Sequence, residues 1–227
     1  MSLFHTVSLA CPGCATPVRF ELVASVNADR RPDLRDAILD GSFQREACPS
    51  CATRFRAEPQ FSYIELGRRL YIVVWPLAQR SDWPAAVAHS EAAFALAYGE
   101  CAGPEARALA EGVALRTAFG WPALREKLLA ARAGIDDATL ELAKLAVLRR
   151  VGRAPLPGRL ELRLIGQRTE MLQLAWVDAQ SGRSEQAIEV DAALIAQIEA
   201  DAPAWQVLRD ELLASPLVDF QRELLGR

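Results

Sequence analysis

Four of the five cysteines in this chain fall into two pairs of one pattern, Cys11-Pro-Gly-Cys14 and Cys48-Pro-Ser-Cys51, with 33 residues between the pairs. No other feature limits the fold as tightly. A two-residue spacer lets the chain turn so that both sulfurs converge, and proline after the first cysteine pre-sets φ for that turn. Two such turns supply four thiolates, the number a closed tetrahedral zinc site needs, with Zn–S distances of about 2.3 Å. The sequence therefore predicts one structural zinc ion held by Cys11, Cys14, Cys48 and Cys51. Glycine commonly follows the second cysteine of such knuckles, but here Ala15 and Ala52 occupy that position. A positive φ there costs alanine about 1–2 kcal/mol, so a slightly relaxed turn is expected. Cys101, at the end of an alanine-rich stretch, reads as a small buried or half-buried thiol.

The segments flanking the cysteines are β-rich. Leu3–Leu9 and Val18–Val26 surround the first pair, Phe43–Ala47 leads into the second, and Phe61–Leu66 with Leu70–Trp75 reads as a hairpin turning at Gly67. Between the pairs, Pro32–Leu39 is a short helix with proline in its first turn and Gly41 just past its end. From Pro84 to Arg150 the apolar period becomes helical, and four helices are expected. One face is Ala106, Leu109, Ala110 and Val113; the last helix enters through Asp136 as N-cap and leaves through Arg149, Arg150 and Gly152. Ala154-Pro-Leu-Pro-Gly158 reads as a boundary. Beyond it Arg159–Leu164 alternates as a strand with one wet face. Leu172, Leu174 and Trp176 make a second strand, and Ile188 and Val190 a third. Helices follow at Asp191–Ala200, Pro203–Leu213 and Pro216–Leu225, the last entered through Ser215 and Pro216. No internal repeat is found.

The expected fold is thus α+β. An N-terminal antiparallel β unit, zinc-ribbon-like and built on the four cysteines, carries a helical segment, and a smaller three-stranded β meander with helices follows. The expected domains are 1–153 (β-rich 1–80, helical 81–153) and 154–227.

Among function classes, a net charge of −3 argues against a generic nucleic-acid coat. Arginine dominates the positive charge, with Lys127 and Lys144 the only lysines, a pattern ascribed to genome composition. No signal peptide and no bilayer-length apolar run is read, which points to a cytoplasmic protein without membrane partners, where paired cysteines serve as metal ligands. A thioredoxin-like site needs its cysteines at a helix N-terminus, and Pro17 breaks any helix after Cys14; no βαβ unit is read around either pair. A redox-sensitive zinc switch uses the same four ligands. His5 and His89 read as surface or packing residues. No H-E-x-x-H, nucleophile elbow, P-loop or G-x-G-x-x-G occurs. Glu91, Asp136 and Asp137 are the acidic groups an enzymatic cleft would draw on, yet nothing fixes their geometry, so no catalytic residue is nominated.

The paired Cys-Pro-X-Cys motifs, Ser25-Val26-Asn27-Ala28 and the Leu39–Gly41 helix end together resemble the CpXC proteins. Gly120-Trp-Pro-Ala-Leu-Arg-Glu-Lys-Leu, Gly134-Ile-Asp-Asp and Leu140-Glu-Leu-Ala-Lys are similar to that family's helical half, so the likeness covers roughly residues 5–150. The resemblance marks Cys11, Cys14, Cys48 and Cys51 as the defining positions; the family is functionally uncharacterised and implies no activity. The expectation is a non-enzymatic, zinc-stabilised protein-interaction module, its oligomeric state left open. The alternative is nucleic-acid binding through Arg45, Arg54, Arg56, Arg68 and Arg69, with Phe55 and Tyr63 for stacking. Residues 1–80 hold 10 basic and 8 acidic side chains, in keeping with either.

Overall fold

The computed structural model describes residues 2–150 and 160–224. The fold is α+β. Two antiparallel strands, β1 (Leu3–Ala10) and β2 (Pro17–Asn27), carry the first cysteine pair at their joining turn. Helix α1 (Pro32–Asp40) starts with proline in its first turn and ends at Gly41, whose φ of 80° gives the left-handed cap that only glycine takes without cost. A two-stranded hairpin, β3 (Arg45–Ala47) and β4 (Arg54–Arg56), carries the second pair. Strands β5 (Phe61–Glu65) and β6 (Leu70–Trp75) then pair antiparallel.

Helices α2 (Trp83–Tyr98) and α3 (Pro104–Leu109) follow, and then the chain departs from the expected helical run. Ala114–Phe119 is a strand, β7, lying parallel to β6 in a five-stranded sheet ordered β1-β2-β5-β6-β7. The helical face expected to run on to Val113 stops at Leu109. Ala-Leu-Arg-Thr-Ala-Phe has no alternation to mark it as a strand; pairing to β6 decides its state, a tertiary effect that local propensity does not carry. Four α-helices do lie between residues 83 and 150, completed by α4 (Gly120–Ala133) and α5 (Asp137–Arg150). Asp136 caps α5 as expected, its carboxylate accepting the Thr139 N–H at 3.0 Å.

Strand β6 shows why the sheet is covered twice. Ile72 and Val74 face α1 and α4 together with Val26, Ile38, Trp121 and Leu124, whereas Tyr71, Val73 and Trp75 face α2. Both faces of the strand are buried, so it reads as a continuous apolar run. The β5–β6 turn also differs in detail from expectation. A 3-10 turn spans Leu66–Arg68, and the positive φ falls on Arg69, at 56°. Gly67 is needed for proximity instead: a Cβ there would stand 2.9 Å from the Asp29 carboxylate that accepts the backbone N–H groups of Leu66 and Gly67.

The C-terminal strands β8 (Leu160–Arg168), β9 (Met171–Asp178) and β10 (Ser184–Asp191) form an antiparallel meander ordered β10-β9-β8. Helices α6 (Ala193–Ala200) and α7 (Ala202–Leu213) follow. The largest apolar cluster joins Leu129, Leu140, Leu142 and Val147 of α4 and α5 to Leu162, Leu164, Leu174, Ile198 and Leu212. The Pro-rich boundary at 154–158, the expected exit of α5 at Gly152 and the end of the last expected helix at Leu225 lie outside the described residues. Two expectations fail here. The wet face expected on β8 is buried where it was placed, Glu161 and Arg163 being 3 % exposed each. Residues 216–219 are not helical, and only a 3-10 turn forms at Phe220–Leu224. The carbonyls of Pro216 and Val218 are engaged elsewhere, by the Thr117 N–H and by Lys127 Nζ, so they cannot close a helix.

Candidate metal centre

Each cysteine pair sits at the tip of a hairpin, and the two tips meet. Cys11 Sγ lies 3.6 Å from Cys51 Sγ, Cys14 Sγ lies 3.5 Å from Cys48 Sγ, and all four sulfurs lie within 4.8 Å of one another. None is in a disulfide. A zinc ion with sulfur at about 2.3 Å in a tetrahedron requires S···S edges of about 3.8 Å, so the donor set fits a tetrahedral ion of that size.

The two turns are copies of each other beyond the cysteines. The Ala15 N–H donates to the Cys11 carbonyl at 2.8 Å and the Cys11 N–H to the Thr16 carbonyl at 2.9 Å. In the second turn, the Ala52 N–H donates to Cys48 and the Cys48 N–H to Thr53, both at 2.9 Å. The repeat is Cys-Pro-X-Cys-Ala-Thr, two residues longer than the motif read from the cysteines, and it corrects the finding that the chain has no internal repeat. The threonines give it meaning. The Thr16 hydroxyl lies 3.3 Å from Cys14 Sγ and that of Thr53 3.1 Å from Cys51 Sγ, placed to donate to each thiolate. Ala15 and Ala52 keep the left-handed turn, with φ of 60° and 59°, and the expected relaxation does not occur. One residue breaks the symmetry. A Cβ at Gly13 would lie 2.7 Å from Thr53 Oγ1, so the first turn needs glycine where the second carries Ser50.

The electrostatics divide the four sulfurs by depth. The leading cysteines, Cys11 and Cys48, are 3 % and 2 % exposed, above a small core of Val18, Phe20 and Ala57, while Cys14 and Cys51 face outward. Burial pushes the Cys11 thiol up to about 11, partly offset by the Gly13 and Cys14 N–H groups. The Thr53 hydroxyl, then its N–H, pulls Cys51 down to about 6, and the Thr16 hydroxyl lowers Cys14 in the same way. A cation held at the centre would stabilise all four as thiolates.

A redox site of the thioredoxin kind is not supported locally, because strands and not helices follow Cys14 and Cys51. The second pair does lie within a β2–α1–β5 parallel crossover, contrary to the expectation that no βαβ unit surrounds either pair. Of the other candidates, His5 is exposed on β1, and His89 is exposed on α2 with its ring edge-on to Trp75 at 5.2 Å. Cys101 is exposed rather than buried. Glu91 stands exposed on α2, away from Asp136, which pairs with Arg209, and Asp137, which pairs with Arg116 and Lys127; the three do not converge. Tyr63 is fully buried, its hydroxyl donating to Glu65, and cannot stack on a base. Arg68 is tied to Glu65 and the Ala131 carbonyl, leaving Arg45, Arg54 and Arg56 near the second knuckle.

Sequence reading passed over a second polar centre. Lys144, fully buried, bridges Glu126 and Glu141 at 2.7 Å each. Arg163 reaches Glu126, Glu161 and Asp219, and Arg80 pairs with Glu161. The Lys127–Asp137–Arg116 group adjoins them, and the acids and bases balance at five each. Burial raises Glu126, Asp137 and Asp219, but neighbouring cations outweigh it and hold all three below their ordinary range. Glu141 is pushed up to about 7 by burial and by the carboxylates of Asp219 and Glu126. The signal was present in the sequence: both lysines of the chain belong to this centre.

No match to the chain was found among curated proteins or among solved structures. The family model described as CpXC protein matches residues 9–144, a span that takes in both knuckles, the mixed sheet from β2 to β7, and the Glu126–Lys144 pair at its C-terminal end. That match covers more than half of the sequence, and the chain belongs to the CpXC family.

Proposed function

We propose that this is a non-enzymatic protein pinned by one structural zinc ion, its folded surface serving as a protein-interaction module. The carrying observation is the meeting of four Sγ atoms from two hairpin tips within 4.8 Å. Four thiolates fill a tetrahedral shell, which leaves no position for a substrate or an activated water, and zinc is the ion that four thiolates in this geometry favour. Zinc capture supplies folding energy above all to the second hairpin, which is short and poorly covered on its own, since β3 and β4 are three residues each and share a small core with the cysteines. The nucleic-acid reading has less support, with Tyr63 buried and Arg68 engaged internally. Removal of the metal by a chelator, followed through backbone amide spectra, tests the proposal. Dispersion is expected to collapse first in residues 2–60, with residues 120–224 changing later; an unchanged spectrum for residues 2–60 in metal-free protein would contradict it.

A further inference from the structure

A cleft of about 500 Å³ lies between the second knuckle's hairpin, α4 and the β9–β10 turn. Four arginines line it; Arg163 on β8 is spent on Glu126, Glu161 and Asp219, which leaves Arg45 on β3, Arg56 on β4 and Arg125 on α4. All three are anchored in one manner. Arg45 Nε donates to the Gly41 carbonyl at 2.6 Å, Arg56 Nε to Phe43 at 2.8 Å, and Arg125 Nε to Leu39 at 2.8 Å. The acceptors are the last carbonyls of α1 and the loop just beyond it, the negative end of that helix. Capping explains the Nε contacts, but one helix end does not require three guanidinium groups. Each anchor also leaves the terminal nitrogens of its guanidinium free for another partner.

Among the described residues, none of the three arginines lies within ion-pair distance of an acidic group, in a chain where Arg35, Arg80, Arg116, Arg163 and Arg209 all do. Asp40 and Glu58 also line the cleft; their carboxylates accept the Ser42 and Leu77 N–H groups, and beyond ion-pair distance each offsets part of the Arg56 charge. Arg56 Nη2 is buried without any hydrogen-bond partner, while the guanidinium stacks on Trp121 at 3.8 Å from the ring centroid. Arg45 and Arg125 still repel Arg56, a cost that Asp40 and Glu58 offset in part and that an anion between the three would reduce further.

We propose that this cleft binds a small molecule through a carboxylate or phosphate group gripped by Arg45, Arg56 and Arg125. Planar guanidinium forks suit such oxyanions, and the volume is that of a metabolite-sized ligand. The site is separate from the cysteine cluster and uses no metal.

Calorimetric titration of the zinc-loaded full chain with inorganic phosphate and, separately, with citrate at matched ionic strength tests this and distinguishes the two sources of anion. Saturable binding of at least one is expected. Arg45→Gln and Arg125→Gln, changes on two different elements, should each weaken it about tenfold or more, the effect of losing a hydrogen bond from a charged group. Arg54→Gln, on the same hairpin but outside the cleft, should leave it unchanged. Zinc content and melting temperature of each variant separate loss of binding from loss of fold. Absence of saturable binding to both anions, or equal weakening by all three substitutions, would overturn the proposal.

Discussion

The cysteine cluster and the buried charge cluster both tie distant segments together, but by different means. In the cysteine cluster, two six-residue turns with nearly the same sequence each present a finished half-site, and the folding problem is to bring two tips into contact. The charge cluster has no local half-site. Its members come one to three at a time from the 3-10 turn before α2, from β7, α4, α5 and β8, and from the segment after α7. A metal centre concentrates its energy in a few short bonds and tolerates an exposed location, which suits a donor set whose Cys14 and Cys51 face outward. Buried ion pairs repay their desolvation only when fully matched, so they demand that the surrounding fold already exist. The first region therefore organises a chain with little core, whereas the second locks a core that hydrophobic burial has built.

That contrast can be broken most severely at Lys144. Replacement by methionine leaves Glu126 and Glu141 buried without their shared cation, a loss of about 3–5 kcal/mol. Denaturant unfolding should show it, while zinc content per folded chain stays the same. Loss of zinc in the folded variant would mean that the two regions are not independent.

Acid should separate them next. Glu126, Asp137 and Asp219 have folded pKa values below their unfolded ones, so their stabilisation is present above about pH 4 and is lost as pH falls. Glu141 runs the other way. Its pKa rises from 4.5 to about 7 on folding, so its contribution is complete below 4.5 and disappears as pH climbs through 7. The melting temperature should rise from pH 3 to 5 and decline modestly between pH 6 and 8, and Glu141→Gln should remove only the decline.

The smallest effect belongs to the knuckles. Ala15→Gly and Ala52→Gly relieve left-handed alanines at φ of 60° and 59° and should each stabilise by about 1 kcal/mol, read as slower zinc transfer to a chelator. A loss of stability would place the strain elsewhere.

The difference between the regions also explains what could be read from the sequence. The four cysteines, the hairpins around them and the α1 cap at Gly41 are local, each set by residues within one turn, and the sequence shows them directly. The Thr16 and Thr53 partners were equally local but fall outside the cysteine motif, so the repeat went unread. Strand β7 and the buried face of β8 depend on partners far along the chain. Arg163 looks like a solvent-facing residue in an alternating strand until Glu126 and Asp219 are known to lie opposite it. The segment after α7 fails for the same reason: its carbonyls serve Thr117 and Lys127, a demand invisible from Ser215 and Pro216.

The central claim is that both knuckles share a single zinc ion. X-ray absorption at the zinc edge, on chain purified without added metal and counted against protein by elemental analysis, addresses it most directly. The account predicts one zinc per chain with four sulfur neighbours at about 2.3 Å and no nitrogen or oxygen in the first coordination sphere. A shell of mixed light scatterers, or metal-free chain with Cys11 bonded to Cys51 and Cys14 to Cys48, would contradict it.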